Sequence, residues 1–169
     1  MDESLENAAL RELKEETDLD DIYLEQLHTY GNPNRDPRTR VITVAYLALA
    51  YSGRLDPTAG DDAAEAEWHS AYSPPTLAFD HERILADALD RLGKRILETP
   101  LVLEFLPDTF TLMELRLAYE AVLRKKVDSR TIMRRLDKFG DIKSTRSANK
   151  NKKGRLSKYR FTTRNRKKI

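Results

Sequence analysis

A chain of 169 residues, 40% hydrophobic and 34% charged, is long enough for one compact domain or two small ones and apolar enough to bury a core. Six Gly and seven Pro exclude a collagen-like or low-complexity chain, and the absence of Cys excludes a disulfide framework, a thiolate nucleophile and a Cys-ligated zinc. The longest nearly apolar run, Val41 to Tyr51, falls well short of the roughly 20 residues that a bilayer helix needs. The opening MDESLENAAL carries acids where a secretory signal carries a basic region and an apolar core. A soluble cytoplasmic protein with no membrane partner is expected.

The net charge of +2 hides a division. Residues 1–98 hold 10 Lys/Arg against 21 Asp/Glu, whereas residues 99–169 hold 20 against 7. Two modules with different partners are expected, with the boundary at 98/99. The basic half suits a polyanion such as nucleic acid; a merely solvated basic surface is the alternative.

In chain order, residues 3–17 read as a helix, with Leu5, Ala8, Ala9 and Leu13 on a 3.6 period. A strand is predicted near Tyr23 to Tyr30, then a loop, GNPNRDPRTR, dense in turn-forming residues. Val41 to Tyr51, apolar on both faces, predicts a central strand covered on both sides. Residues 64–68 alternate as a short half-buried strand. Asp80 caps a helix from His81 to about Ile96, with Ile84, Leu85, Ala88, Leu92 and Ile96 on one stripe.

The basic half begins near Pro100 and turns helical. Thr111 with Glu114 forms a capping box, and Phe110 staples onto Leu115, starting a helix that is expected to run to about Lys126. Asp128 caps a second helix, Ser129 to Phe139, ended by Gly140. The short connection is that of a helix-turn-helix. Ile142 to Thr145 and Leu156 to Thr162, joined by the basic loop RSANKNKKGR, predict a two-stranded wing.

On that second helix Ile132, Met133, Leu136 and Phe139 form the buried stripe, opposite Arg130, Thr131, Arg134, Arg135 and Lys138. Arginines there can fork onto guanine edges in a major groove, while Lys and Thr reach phosphates. The wing adds Lys150, Lys152, Lys153, Arg155 and Lys158 for phosphate or minor-groove contact. Together these features predict a winged helix that binds double-stranded DNA. A generic three-helix module with a solvated basic face remains the alternative. RNA is the smaller rival, since the wing lacks the interleaved aromatics that stack on single strands.

In the acidic half, Glu12, Glu15 and Glu16 bring three carboxylates onto one side of a helix. Oxygen-only ligands favour Mg²⁺ or Mn²⁺ with a diphosphate completing the shell; a solvated acidic face fits the same spacing.

The fuller string resembles the Nudix box: Glu3, seven residues, then Arg11-Glu12-Leu13-Lys14-Glu15-Glu16-Thr17-Asp18-Leu19. Asp18 stands where that family has its second Gly, and the leading Gly would fall before Met1. The chain is therefore expected to begin inside the motif, without the first strands of a Nudix domain. YGNPNRDPRTRVITVAYLALA, DDAAEAEWH, LAFDHERILADAL and FTLMELRLAYEAVL are similar to Nudix-related transcriptional regulators of the NrtR type.

The resemblance implies an α+β chain: an incomplete Nudix-like α/β/α sandwich over 1–98 and a C-terminal winged helix-turn-helix with a basic tail over 99–169. It implies a homodimeric repressor of operator DNA, released by ADP-ribose or a related nucleotide-sugar metabolite. No cofactor is needed for DNA binding, and Mg²⁺ would accompany the nucleotide diphosphate. Metal ligation falls to Glu12, Glu15 and Glu16, with Arg11 orienting them. Arg35 and Arg38 fall in the loop that the family places beside the effector; two arginines in a structural turn are the alternative. Asp36 is expected to fix that turn, and Trp68, Tyr46 and Phe79 to lie in the core, an adenine-stacking box being the alternative. The rival function is a Mg²⁺-dependent Nudix hydrolase of ADP-ribose-like diphosphates, with Glu12, Glu15 and Glu16 catalytic. The glycine departures weigh against an enzyme.

Overall fold

Ser4 opens the structure: its Oγ accepts the Asn7 amide at 3.2 Å and its carbonyl accepts the Ala8 amide, capping helix α1 (Leu5–Thr17). The computed structural model describes residues 2–17, 22–51, 53, 69–138, 142–145 and 158–161. The strand expected at 64–68, with Trp68, lies outside these residues.

The chain divides into two compact units between Arg91 and Leu92. In the first, β1 (Tyr23–Tyr30) pairs antiparallel with β2 (Thr43–Leu49). A bulge at Leu27 shifts the register, so Glu25 and Tyr30 share one face, whereas Tyr46, opposite Gln26, lies on the other. Helix α2 (His81–Glu98) covers the first face: the Tyr30 hydroxyl donates to Asp87 at 2.9 Å, and Arg91 donates to Glu25 at 3.1 Å and to the Leu27 carbonyl at 3.3 Å. On the other face, Tyr46 lies within electrostatic reach of Glu6 on α1. The first unit thus mixes helix and strand, with α2 laid over one face of the β1–β2 pair.

The central, doubly covered strand expected over 41–51 is shorter and more open. Thr43 to Leu47 are only half-buried, and among the described residues β2 pairs with β1 alone. An apolar run specifies strand, but its burial depends on neighbours that the run does not encode.

The second unit holds the C-terminal end of α2, a 3-10 helix (Pro100–Phe105), β3 (Thr109–Thr111), α3 (Leu112–Leu123), α4 (Ser129–Lys138), β4 (Ile142–Thr145) and β5 (Lys158–Phe161). The sheet order is β3-β5-β4, antiparallel throughout. The wing therefore has a third strand, since the residues just ahead of α3 also pair with β5. Ile96, Val102, Phe110, Leu115, Tyr119, Ile132 and Leu136 are all buried. The rings of Phe110 and Tyr159 stack at 6.4 Å.

The capping box at α3 is complete: Thr111 Oγ accepts the Glu114 amide at 3.2 Å and Glu114 accepts the Thr111 amide at 2.6 Å. Phe110 and Leu115, both buried, are placed as the staple requires. The helix ends earlier than the expected Lys126. Arg124 adopts a left-handed conformation (φ 54°) and donates its amide to the Glu120 carbonyl at 2.9 Å. Glu120 then takes the Val127 amide at 3.1 Å and the Lys126 ammonium at 3.7 Å, bending the chain toward α4. A side chain, with no glycine in the sequence to announce it, ends this helix.

Candidate nucleic-acid interface and effector loop

The α4 N-terminus is fixed by Asp128, whose carboxylate accepts the Thr131 amide at 3.0 Å and whose carbonyl accepts the Ile132 amide. The Thr131 amide is the main reason that this carboxyl sits below its usual range. Ile132 and Leu136 are fully buried and Met133 half-buried, so the helix can rotate no further inward. Its outer face then carries Arg130, Arg134 and Lys138, all exposed and one turn apart.

The other two basic-face residues are engaged by the protein. Thr131 Oγ lies 3.3 Å from Asp128 and 3.4 Å from Arg134 Nη2. Arg135 is half-buried, and its Nη1 donates to the Leu97 carbonyl at 2.8 Å. Lys158 is exposed at the start of β5. Lys150, Lys152, Lys153, Arg155 and Phe139 lie outside the described residues.

In the first unit, the 31–40 loop is held by its own side chains. Asn32 Oδ1 accepts the Asn34 amide at 2.8 Å, Asp36 Oδ1 accepts the Arg38 amide at 2.9 Å, and Arg40 donates to the Gly31 carbonyl at 2.7 Å. Asp36 fixes the turn, as the sequence led us to expect. It is buried, and the Arg38 guanidinium and then the Arg38 amide pull its pKa down to about 2.

The two loop arginines differ. Arg35, with a side chain only 5% exposed, makes a two-bonded contact with Asp80, Nε to Oδ2 at 3.0 Å and Nη2 to Oδ1 at 2.8 Å, and also donates to Thr43 Oγ1. Arg38 is 71% exposed, forks onto Asp36 at 3.0 and 2.8 Å, and lies 4.6 Å above the Phe79 ring. Phe79 is not core: it is half exposed with φ 52°, because the left-handed turn into α2 swings its ring outward beneath the guanidinium. Asp80, read from sequence as a helix cap, directs its carboxylate to Arg35 instead. A contact across 45 residues leaves no local pattern, so neither partnership was visible beforehand.

On α1, Arg11 gathers three carboxylates: Glu3 at 2.9 Å, Glu15 at 3.0 Å and Glu12 at 3.4 Å. Glu12 and Glu15 are exposed, and their all-oxygen donor chemistry suits a hard divalent cation. Among the described side chains, which do not include Glu16, no three acidic or His groups converge as a metal site. Asp18 lies outside the described residues. No described helix is long and apolar enough to cross a membrane.

Comparison with known proteins follows the same division. Residues 1–88 match the NUDIX domain family, and residues 102–161 match the NrtR DNA-binding winged helix domain. The chain is 33% identical over 166 residues to the "ADPR responsive transcriptional repressor NtrR" of Acinetobacter baylyi, covering 95% of this chain and 64% of that protein. It is 45% identical over 85 residues to an "ADP-ribose pyrophosphatase" of Methanocaldococcus jannaschii, covering 50% of this chain and 49% of that protein. Thus the chain spans less than two thirds of the length of either relative. The Shewanella oneidensis NrtR structure complexed with a 27mer DNA superposes with a TM-score of 0.78 at 31% identity, covering 95% of this chain and 73% of that one.

Proposed function

Because the chain belongs to the Nudix-related NrtR family, we propose that it is a DNA-binding transcriptional repressor released by ADP-ribose or a related nucleotide-sugar metabolite. The carrying observation is α4, a capped helix whose inner stripe is buried and whose outer face presents Arg130, Arg134 and Lys138. Such a face enters a major groove, with the arginines aimed at base edges and the wing, including Lys152, Lys153, Arg155 and Lys158, on the backbone. The protein acts in the cytoplasm as a homodimer, so that two recognition helices meet half-sites about one DNA turn apart.

The effector must favour the DNA-free conformation, since equal affinity for both states shifts nothing. Exposed Arg38, beside the Phe79 ring, offers the diphosphate a guanidinium and the base an aromatic face. Arg35 acts from behind by holding the loop on Asp80. Glu12, Glu15 and Glu16 would hold Mg²⁺, which neutralises a diphosphate when bound.

A second reading, a Mg²⁺-dependent hydrolase of ADP-ribose-like diphosphates, draws support from the carboxylates retained on α1 and from the likeness to a pyrophosphatase over the first half. One experiment separates the two: fluorescence anisotropy on a duplex selected from random DNA, with and without ADP-ribose and Mg²⁺, followed by chromatography of the nucleotide. Weakened binding with intact ADP-ribose is the expected result. Cleaved ADP-ribose with unchanged DNA binding would favour the hydrolase.

A further inference from the structure

Helix α2 is common to both units, because the division between Arg91 and Leu92 falls inside it. Its first three turns are fastened to the first unit: Arg35 grips Asp80, Tyr30 grips Asp87, and Arg91 reaches Glu25 and the Leu27 carbonyl. Its last turn ends in carbonyls that have no partner within the helix. Thr99 satisfies that of Arg95 with both its amide and its hydroxyl, at 2.9 and 2.8 Å. The carbonyl of Leu97 is taken by Arg135, which comes from α4.

A guanidinium suits this place for two reasons. It brings positive charge to the negative end of the helix dipole, and its Nη1, at the far end of a rigid planar group, makes a charge-assisted bond to a main-chain acceptor that the shorter, flexible point charge of Lys does not hold in the same way. Tyr119 is fully buried, its hydroxyl has no hydrogen-bond partner among the described residues, and it feels the Arg135 charge. Half-buried and anchored through Nη1 on the Leu97 carbonyl, Arg135 is less free than its neighbours to reach a phosphate, and swinging outward would take that donor from the helix end. Arg130, Arg134 and Lys138 on the same helix are exposed and pay no such cost.

We propose that Arg135 is a positioning residue for DNA binding, tying the recognition helix to the C-terminal end of α2 instead of touching DNA itself. Resting on the repressor reading, the same tie makes α2 the route by which a change at the Arg35–Asp80 end reaches α4. The effector does not need to approach the DNA-binding face; it needs only to alter how α2 is held at its start.

The test compares the intact protein with Arg135→Met, Arg135→Lys and Arg130→Met on a duplex selected from random DNA, over a salt series, with and without ADP-ribose. A phosphate contact contributes about 0.9 to the slope of log affinity against log salt, and Lys replaces Arg well in that role. A positioning guanidinium does neither. Arg135→Met is therefore expected to weaken binding about tenfold with an unchanged slope, and Arg135→Lys to recover little of the loss. Arg130→Met should lower the slope.

The ratio of affinities without and with ADP-ribose should fall toward one in Arg135→Met and hold in Arg130→Met. A slope reduced by about 0.9 in Arg135→Met, with binding rescued in Arg135→Lys, would overturn the proposal, as would unchanged affinity in both. If Arg135→Met does not fold by circular dichroism, Arg135→Lys decides: near-normal binding rejects the tie, and weakened binding with an unchanged slope supports it. A ratio of one in the unmodified protein would defeat the repressor reading alone, while the slopes still judge Arg135.

Discussion

Arg35 and Asp80, 45 residues apart in the chain, meet through two parallel hydrogen bonds of 3.0 and 2.8 Å that join the 31–40 loop to the start of α2. Each shields the other from the cost of burying a lone charge, so removing either alone leaves a charge without its partner. Arg35→Met and Asp80→Asn are each expected to lower the melting temperature by several degrees. The double variant should lose less than the sum, which a thermal double-mutant cycle measures. Strict additivity would mean that the pair contributes nothing of its own.

Asp36 gives the fold a defined acid response. Its carboxyl is held at about 2 by Arg38, against an ordinary value of 3.8. A depressed carboxyl contributes stability that is complete above the ordinary value and is lost as pH falls through the folded one. The stability of the first unit should therefore decline between about pH 4 and about pH 2. Asp36→Asn should flatten that decline while keeping the turn, since Asn still accepts the Arg38 amide. Acid unfolding followed by circular dichroism at fixed ionic strength checks both points.

Tyr119, buried in the second unit, carries a hydroxyl that has no hydrogen-bond partner among the described residues. Replacing it with Phe keeps the ring and removes the unsatisfied atom. Tyr119→Phe should therefore stabilise the protein by about 1 kcal/mol in denaturant unfolding. A loss of similar size would instead show that the hydroxyl is satisfied by a buried water.

For the outer face of α4, Arg134→Ala should cost about 1–3 kcal/mol of binding and relax preference at one base pair if Arg134 reads a base edge. Binding measured on a panel of single-base variants of the selected duplex tests this. Uniform weakening across the panel would make Arg134 a phosphate contact.

What the sequence disclosed was mostly local. Thr111, Glu114, Phe110 and Leu115 announce the start of α3 within six residues, and Asp128 does the same for α4. The order of motifs disclosed the family, because it samples the whole chain. What stayed hidden depended on distant partners. β3 is three residues long and exists because β5, some fifty residues later, pairs with it. The end of α3 is set by a left-handed Arg124 and by Glu120 reaching forward to Val127, where composition alone favours more helix. The arginines show the limit most plainly. The charge pattern placed Arg134 and Arg135 on one basic face, but only the fold turns the second toward the Leu97 carbonyl. In the same way, Arg35 and Arg38 look equivalent until Asp80 claims one and Phe79 lies beneath the other.

The middle position of β5 orders events on the ribosome. Among the described residues, β3 and β4 each bond to β5 and not to each other, so neither has its described sheet partner until Lys158–Phe161 has been synthesised. The first unit, whose two strands are neighbours in sequence, can pair them long before that. Synthesis therefore supplies the paired strands of the first unit before it completes the sheet of the second. A chain that stops before Lys158 therefore lacks the strand with which both β3 and β4 pair.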